Sequence, residues 1–150
     1  MTWISHKVTT GAAVFAITGQ PFYAIIAALS SIFPDAIEGS GGWDRDSDQF
    51  RVWQQRHRKG SHWFVPYLVL TLVCLALSKK YGIFVTALAF APIGCIGHII
   101  EDMLCGTVPA LDPHKRIGWR LFYVGTLKEY FIALAASALF VWIGLHKTPF

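Results

Sequence analysis

The chain has 150 residues, of which 54% are hydrophobic and 15% charged, with a net charge of +4. This composition is too apolar for an ordinary soluble domain. The positive charge comes without a basic repeat or a nucleic-acid motif, and we expect no nucleic-acid partner. The length predicts one domain, residues 1–150, and the composition predicts a multi-pass membrane protein.

The first apolar segment, residues 8–34, is uncharged and is interrupted by Gly19-Gln20-Pro21. Proline removes a helical hydrogen-bond donor and clashes with the preceding turn, so the segment forms either one kinked span or a hairpin of two short helices. A kinked span would put His6 and Asp35 on opposite membrane faces, whereas a hairpin makes them neighbours. We favour the hairpin, in which residues 22–33 are short for a full crossing.

A polar segment follows, and it contains a predicted flexible joint at Gly39–Gly42. The sequence 46–49 is typical of a helix start, with Asp46 as N-cap and Gln49 at the capping-box position. Three side chains at helical spacing then predict an amphipathic helix on the membrane surface, and these are Phe50, Trp53 and His57. The alternative is a solvated loop.

Three further membrane helices are predicted, over residues 62–78, 81 to about 104, and 127–145. Gly60-Ser61 indicates a helix stop followed by an N-cap, and Lys79-Lys80 indicates the far loop. Pro92 and Gly94 predict a kink. The fold class is therefore all-α: a polytopic membrane helical bundle with an N-terminal hairpin, three further membrane helices and a short interfacial helix.

The end of the second of these helices carries three ionisable residues in an otherwise uncharged segment. His98 and Asp102 are four residues apart and project from one helix face, which Glu101 borders. An imidazole and a carboxylate in this register can bind one metal ion. Ionisable groups in a membrane helix are costly, and a functional role is the default interpretation. The alternative is that the acids only mark the water boundary.

The chain direction brings further polar residues to the same face. The span that starts at His62 leaves this face, and the next span returns to it. An N-terminal hairpin would bring His6 and Asp35 to the same face. Six candidate metal ligands result: His6, Asp35, His57, His62, His98 and Asp102. Imidazole and carboxylate without thiolate suit zinc first, or manganese or iron, and the set is large enough for one to three ions. Each residue also has an ordinary surface or capping interpretation.

Other residues are kept apart from this set. His114 lies in a loop on the correct side and is an outside candidate, whereas His146 is interpreted as a helix-end residue favoured by the helix dipole. The aromatic residues interpreted as membrane-interface anchors are Trp3, Trp43 and Trp63.

The ordered motifs resemble those of the YdjM-like inner-membrane proteins of bacteria, which are membrane-bound metal-dependent hydrolases. They run from residue 6 to about residue 113 and comprise His6, Pro34-Asp35, the stretch His57-Arg58-Lys59-Gly60-Ser61-His62, and His98-Ile99-Ile100-Glu101-Asp102. This chain departs from the family pattern, since Ile37 holds the place of a second acid and Glu38 follows it. Within the stretch from His57 to His62, the glycine is shifted by one position relative to the family pattern, and Ser61 stands where the family has threonine.

The resemblance implies a membrane-embedded hydrolase in which the six residues above bind a divalent metal. Glu38 or Glu101 would act as base or as partner of a ligand histidine, and Arg58 would hold an anionic oxygen of a phosphate ester. A site at the membrane–water boundary favours a phospholipid or lipid phosphate as substrate. The rival hypotheses are a non-enzymatic protein whose structural metal serves a partner or assembly, and a transporter or haem carrier. The oligomeric state is left open.

The charge distribution predicts an orientation in the bacterial inner membrane. On this layout, ten Lys and Arg residues lie on the side of the site, against Lys79, Lys80 and Lys147 on the other. The positive-inside rule therefore places the site at the cytoplasmic face.

Overall fold

The computed structural model describes residues 1–39, 46–109 and 111–147, without the side chains of residues 50 and 54–56. These residues form an all-α bundle, as predicted. The helices are α1 (Trp3–Thr18), α2 (Pro21–Ser30), α3 (Phe33–Glu38), α4 (Asp48–Arg56), α5 (Phe64–Tyr81), α6 (Ile83–Cys105) and α7 (Leu127–His146). A 3-10 turn covers Gly60–His62, and two short antiparallel strands, β1 (Val108–Pro109) and β2 (Arg116–Ile117), pair in the loop before α7.

The N-terminal segment is a hairpin, and the alternative of one kinked span is wrong. Gly19 ends α1 in the left-handed conformation, at φ 65°, and its N–H donates to the carbonyl of Phe15. Pro21 then occupies the first turn of α2, where its missing N–H costs nothing. The hairpin therefore follows from a glycine that reverses the chain and a proline that starts the next helix.

Three helices, α5, α6 and α7, are long and apolar enough to cross a membrane. Their ends differ from those predicted. Lys79-Lys80 lies in the last turn of α5, and the connection is the single Gly82 at φ 76°, which tightens the turn. Ser61 does not cap α5, because Trp63 precedes the helix and the Ser61 hydroxyl donates to Glu38 instead. The helix α6 continues through Pro92.

The short helix α4 exists as predicted, and it begins at Asp48. Ser47 directly precedes it, and the Ser47 carbonyl accepts from the N–H of Arg51. The Phe50 side chain, Trp43 and most of the predicted joint at Gly39–Gly42 lie outside the described residues. The helix α3, which carries Asp35, was not predicted.

Close helix packing sets the position of the hairpin against α6. A Cβ at Gly94 would lie 2.3 Å from the carbonyl oxygen of Ala27 in α2, so only glycine allows this approach. Small residues of this kind let membrane helices pack backbone to backbone. Elsewhere in the bundle, α1 packs along α7, and α5 packs along α6.

A buried glutamate fixes the level of α1 relative to α7. Glu129 is fully buried, and its carboxylate accepts from the backbone N–H groups of Thr2 and Gly125, both at 2.7 Å. Because Thr2 caps α1 and Glu129 lies in the first turn of α7, both helices start at one face of the bundle. This face also contains the C-terminal end of α6, and the polar residues collect there.

Candidate metal centre

Four side chains converge at this face: Asp35 from α3, His62 from the 3-10 turn, and His98 and Asp102 from α6. Each offers one ligand atom, and these atoms lie within 4.8 Å of one another. The two imidazoles are fully buried and Asp102 is 1% exposed. Burying this many polar groups is costly unless they are paired or bind a cation. We call these four residues the metal cluster.

The distances within the metal cluster fit a small divalent cation. The Nε2 atoms of His62 and His98 are 3.1 Å apart, and Asp35 Oδ1 lies 3.3 and 3.5 Å from them. Asp102 Oδ2 lies 3.5 and 3.9 Å from the same two nitrogens. Ligands about 2.1 Å from a tetrahedral zinc would be about 3.4 Å apart. Asp35 Oδ1 is also buried without a hydrogen bond among the described residues, as expected of an atom that faces a cation.

His6 adjoins the metal cluster at the second oxygen of Asp102. Its Nε2 lies 3.4 Å from Asp102 Oδ1, and its ring stacks on His98 with centroids 3.8 Å apart. The His6 side chain is fully buried, and Nε2 has no hydrogen-bond partner among the described residues. Asp102 therefore presents one oxygen to His62 and His98 and the other to His6.

His57 lies at the edge of the metal cluster rather than within it. Its Nδ1 is 2.7 Å from Glu38 Oε2 and 4.0 Å from Asp35 Oδ1, and its ring stacks on Trp53 with centroids 4.2 Å apart. The His57 side chain is 20% exposed. The structure thus brings all six predicted ligands together, four of them around one point.

Two glutamates orient the histidines. Glu38 contacts Nδ1 of both His57 and His62, and it also accepts from the Ser61 hydroxyl. Glu101 Oε2 lies 2.6 Å from Nδ1 of His6. Metal-binding histidines usually bond a carboxylate through the nitrogen that does not touch the metal. Of the two roles predicted for each glutamate, the geometry therefore favours that of partner to a ligand histidine over that of base.

The charges of the metal cluster are strongly coupled. Burial raises the pKa of Asp35, but the nearby imidazoles of His62 and His98 outweigh it and hold the pKa below its usual value. Burial likewise raises the pKa of Glu38, and contacts with His57, His62 and Ser61 hold it low. Burial lowers the pKa of His62, but the surrounding carboxylates raise it to about 10. A cation that binds here must displace the proton of His62, so its affinity increases with pH.

Arg58 points into the site. Its Nε lies 2.6 Å from Asp102 Oδ2, and its backbone φ is 60°. Gly106 makes room for the guanidinium, since a Cβ there would lie 1.6 Å from Arg58 Nη1. The α-amino group of Met1 lies 2.5 Å from the other Asp102 oxygen. Two cationic groups thus pair with the Asp102 carboxylate.

A comparison with known families identifies the family of this chain. The family model for the YdjM inner membrane protein matches residues 1–149. The chain belongs to the YdjM inner membrane protein family. Together with the three apolar helices, this makes it a membrane protein. No curated protein and no solved structure matches the chain.

In this YdjM-family protein, Trp3 has a role that sequence reasoning missed. Its indole Nε1 donates to Asp35 Oδ2 at 3.1 Å, which turns Oδ1 toward the histidines. The only signal in the sequence was its spacing of three residues from His6, which puts both side chains on one helix face. His114 is exposed, and His146 bonds the Trp142 carbonyl at the far end of α7.

Removing the orienting carboxylate is expected to weaken metal binding. In Glu38→Gln, an amide replaces the acceptor of two imidazole N–H groups, so we expect metal affinity to fall about 10–100-fold. Competition with a chromophoric chelator measures this affinity. The matched control is Asp48→Asn, whose side chain is 97% exposed, and it should bind as wild type does. Unchanged affinity in Glu38→Gln would contradict the orienting role.

Proposed function

We propose that this YdjM-family protein is a membrane-embedded metal-dependent hydrolase that cleaves a phosphate ester of a lipid at the membrane surface. The observation that carries the proposal is the buried metal cluster at the end of a membrane-length helix, with glutamates that orient its histidines. Its nitrogen and oxygen donors favour zinc, with manganese or iron as alternatives, and one to three ions.

Each residue has a defined part in the proposed reaction. Asp35, His62, His98 and Asp102 would hold the cation, with His6 against the second oxygen of Asp102. When bound, the cation supplies Lewis-acid catalysis and lowers the pKa of a bound water to about 7.

Residues at the edge of the metal cluster would serve the substrate. Glu38 fixes Nδ1 of His57, which leaves Nε2 of this partly exposed ring to complete the coordination or to exchange a proton with the substrate. The Arg58 guanidinium would leave Asp102 Oδ2 if that oxygen held the cation, and it would then bind an anionic phosphate oxygen.

A lipid panel tests the proposal. Purified protein in vesicles should release headgroup or diacylglycerol from a phospholipid, or phosphate from a lipid phosphate. A chelator should abolish this release, and added zinc should restore it. The proposal fails if metal-loaded protein turns over no lipid of the panel, or if the turnover is insensitive to chelator.

One observation favours a non-enzymatic alternative with a structural metal. The four residues of the metal cluster are enough to fill a tetrahedral shell, and three of them are almost completely buried. Structural zinc sites are closed in this way, whereas catalytic sites keep an open position. Stoichiometric metal without any lipid turnover, in a shell that no added anion perturbs, would favour a protein whose metal serves a partner or assembly.

We further propose that the site faces the cytoplasm, from the excess of Lys and Arg in the segments on its side. Cysteine labelling of intact cells with an impermeant reagent tests this orientation, in a background where Cys74, Cys95 and Cys105 are alanine. Lys80→Cys should react from outside and Lys115→Cys should not. The reverse pattern would put the site on the outer face.

A further inference from the structure

A cavity of about 390 Å³ lies between α6 and α7. Both helices pack against α1, which forms the third wall of the cavity. The lining is almost entirely apolar, and the side chains that define it are Ala13, Ile17, Ile96, Ile100, Ala136 and Phe140. Ile17 and Ile100 are more than half exposed, so the cavity opens sideways toward the surroundings of the bundle. For membrane-crossing helices, these surroundings are lipid.

The threonines in the lining contribute methyl groups rather than hydroxyls. The Thr9 hydroxyl donates to the Ser5 carbonyl, and the Thr10 hydroxyl donates to Glu101 Oε1 at 2.9 Å. Water needs two or more polar partners to occupy a cavity, and this wall offers almost none. Hydrocarbon is therefore the chemistry that fits the space.

One end of the cavity adjoins the metal cluster. Glu101 and Met1 line this end. Glu101 contacts His6, and His6 contacts Asp102, at 2.6 and 3.4 Å. A molecule in the cavity would thus have its polar end beside the site and its apolar part between the helices.

The dimensions of the cavity match one lipid chain. Its lining on α7 runs from Ile132 to Phe140, which is about 12 Å at 1.5 Å per residue. The hydrocarbon part of one leaflet is about 15 Å deep.

We propose that this cavity binds one hydrocarbon chain of the lipid substrate, which enters sideways between α6 and α7 with its headgroup toward the metal cluster. That the bound lipid is a substrate rests on the proposed hydrolase function, whereas the binding of a hydrocarbon chain rests on the cavity itself.

Photo-crosslinking tests the binding of the chain without any need for turnover. The probe is a phosphatidic acid with a diazirine in one acyl chain, in phosphatidylglycerol vesicles that contain the full-length protein. Wild type should crosslink at the cavity-lining peptides of α1 and α7. Ala136→Phe fills the cavity and should reduce this crosslinking at least tenfold, whereas Ala135→Phe, at an exposed position of the same helix, should not. Labelling of α5 should be equal in all three.

The outcomes separate this proposal from the hydrolase proposal. A variant whose metal content equals that of wild type is taken as folded. If Ala136→Phe does not fold, Ala136→Leu is used in its place. Equal crosslinking in Ala136→Phe and wild type, or wild-type labelling confined to outward-facing positions, overturns the chain-binding site. Crosslinking as expected without lipid turnover overturns only the hydrolase. If the lipid is hydrolysed, Ala136→Phe should slow a long-chain ester at least tenfold and leave a short-chain ester of the same headgroup unchanged.

Discussion

Replacing His98 with alanine is expected to abolish metal binding. The His98 Nε2 atom lies within 4 Å of a ligand atom from each other member of the metal cluster, and the His98 ring is fully buried. Loss of a direct ligand should cost more than the roughly 10–100-fold typical of an orienting residue. Elemental analysis of the purified protein should therefore find stoichiometric metal in wild type and less than about a tenth of it in His98→Ala.

The matched control for this experiment is His146→Ala. His146 is exposed at the far end of α7, where its ring bonds the Trp142 carbonyl, so its removal should leave the metal content unchanged. Metal retained by His98→Ala would show that the cation binds elsewhere and would remove the basis of the proposed function.

Replacing Asp102 with alanine is expected to destabilise the protein even without metal. Asp102 is 1% exposed, and its two oxygens pair with the Arg58 guanidinium and the Met1 amino group at 2.6 and 2.5 Å. Removing one partner of a buried ion pair leaves an uncompensated charge, which costs about 3–5 kcal/mol. Thermal unfolding in detergent with a chelator present should show this loss as a markedly lower midpoint.

Two variants separate charge burial from a general packing defect. Asp48→Asn removes the charge of a carboxylate that is 97% exposed and should change stability by no more than about 0.5 kcal/mol. Arg58→Met in the Asp102→Ala background removes the stranded cation and should recover part of the lost stability. An Asp102→Ala protein that unfolds at the wild-type temperature would show that the pairing contributes nothing.

The main helices and the core of the site could be predicted because local patterns encode them. Three long apolar runs give the crossing helices, and Gly19-Gln20-Pro21 gives the hairpin. The i, i+4 spacing of His98 and Asp102 puts them on one face, and the similar lengths of α5 and the returning part of α6 bring His62 to the same level.

What sequence reasoning missed depends on contacts between residues distant along the chain. Glu129 reads as an ordinary first-turn acid, yet it is buried because it accepts from Thr2, 127 residues away. The partner role of Glu38 and the contact of Trp3 with Asp35 likewise require knowing where α3 lies. The two-residue strands and α3 itself are too short for a periodic signal.

The hairpin has a consequence for the lipid around the protein. At 1.5 Å per residue, α1 is about 24 Å long and α2 about 15 Å, and both are shorter than the roughly 30 Å of a typical bilayer core. Lys147 reaches the Ile17 carbonyl near the tip, so a charged amine and the exposed Gln20 gather where acyl tails would otherwise lie. Such hydrophobic mismatch is relieved by thinning the membrane locally. The protein should therefore be more stable in short-tailed than in long-tailed phospholipids, with the distortion confined to the side that carries the hairpin.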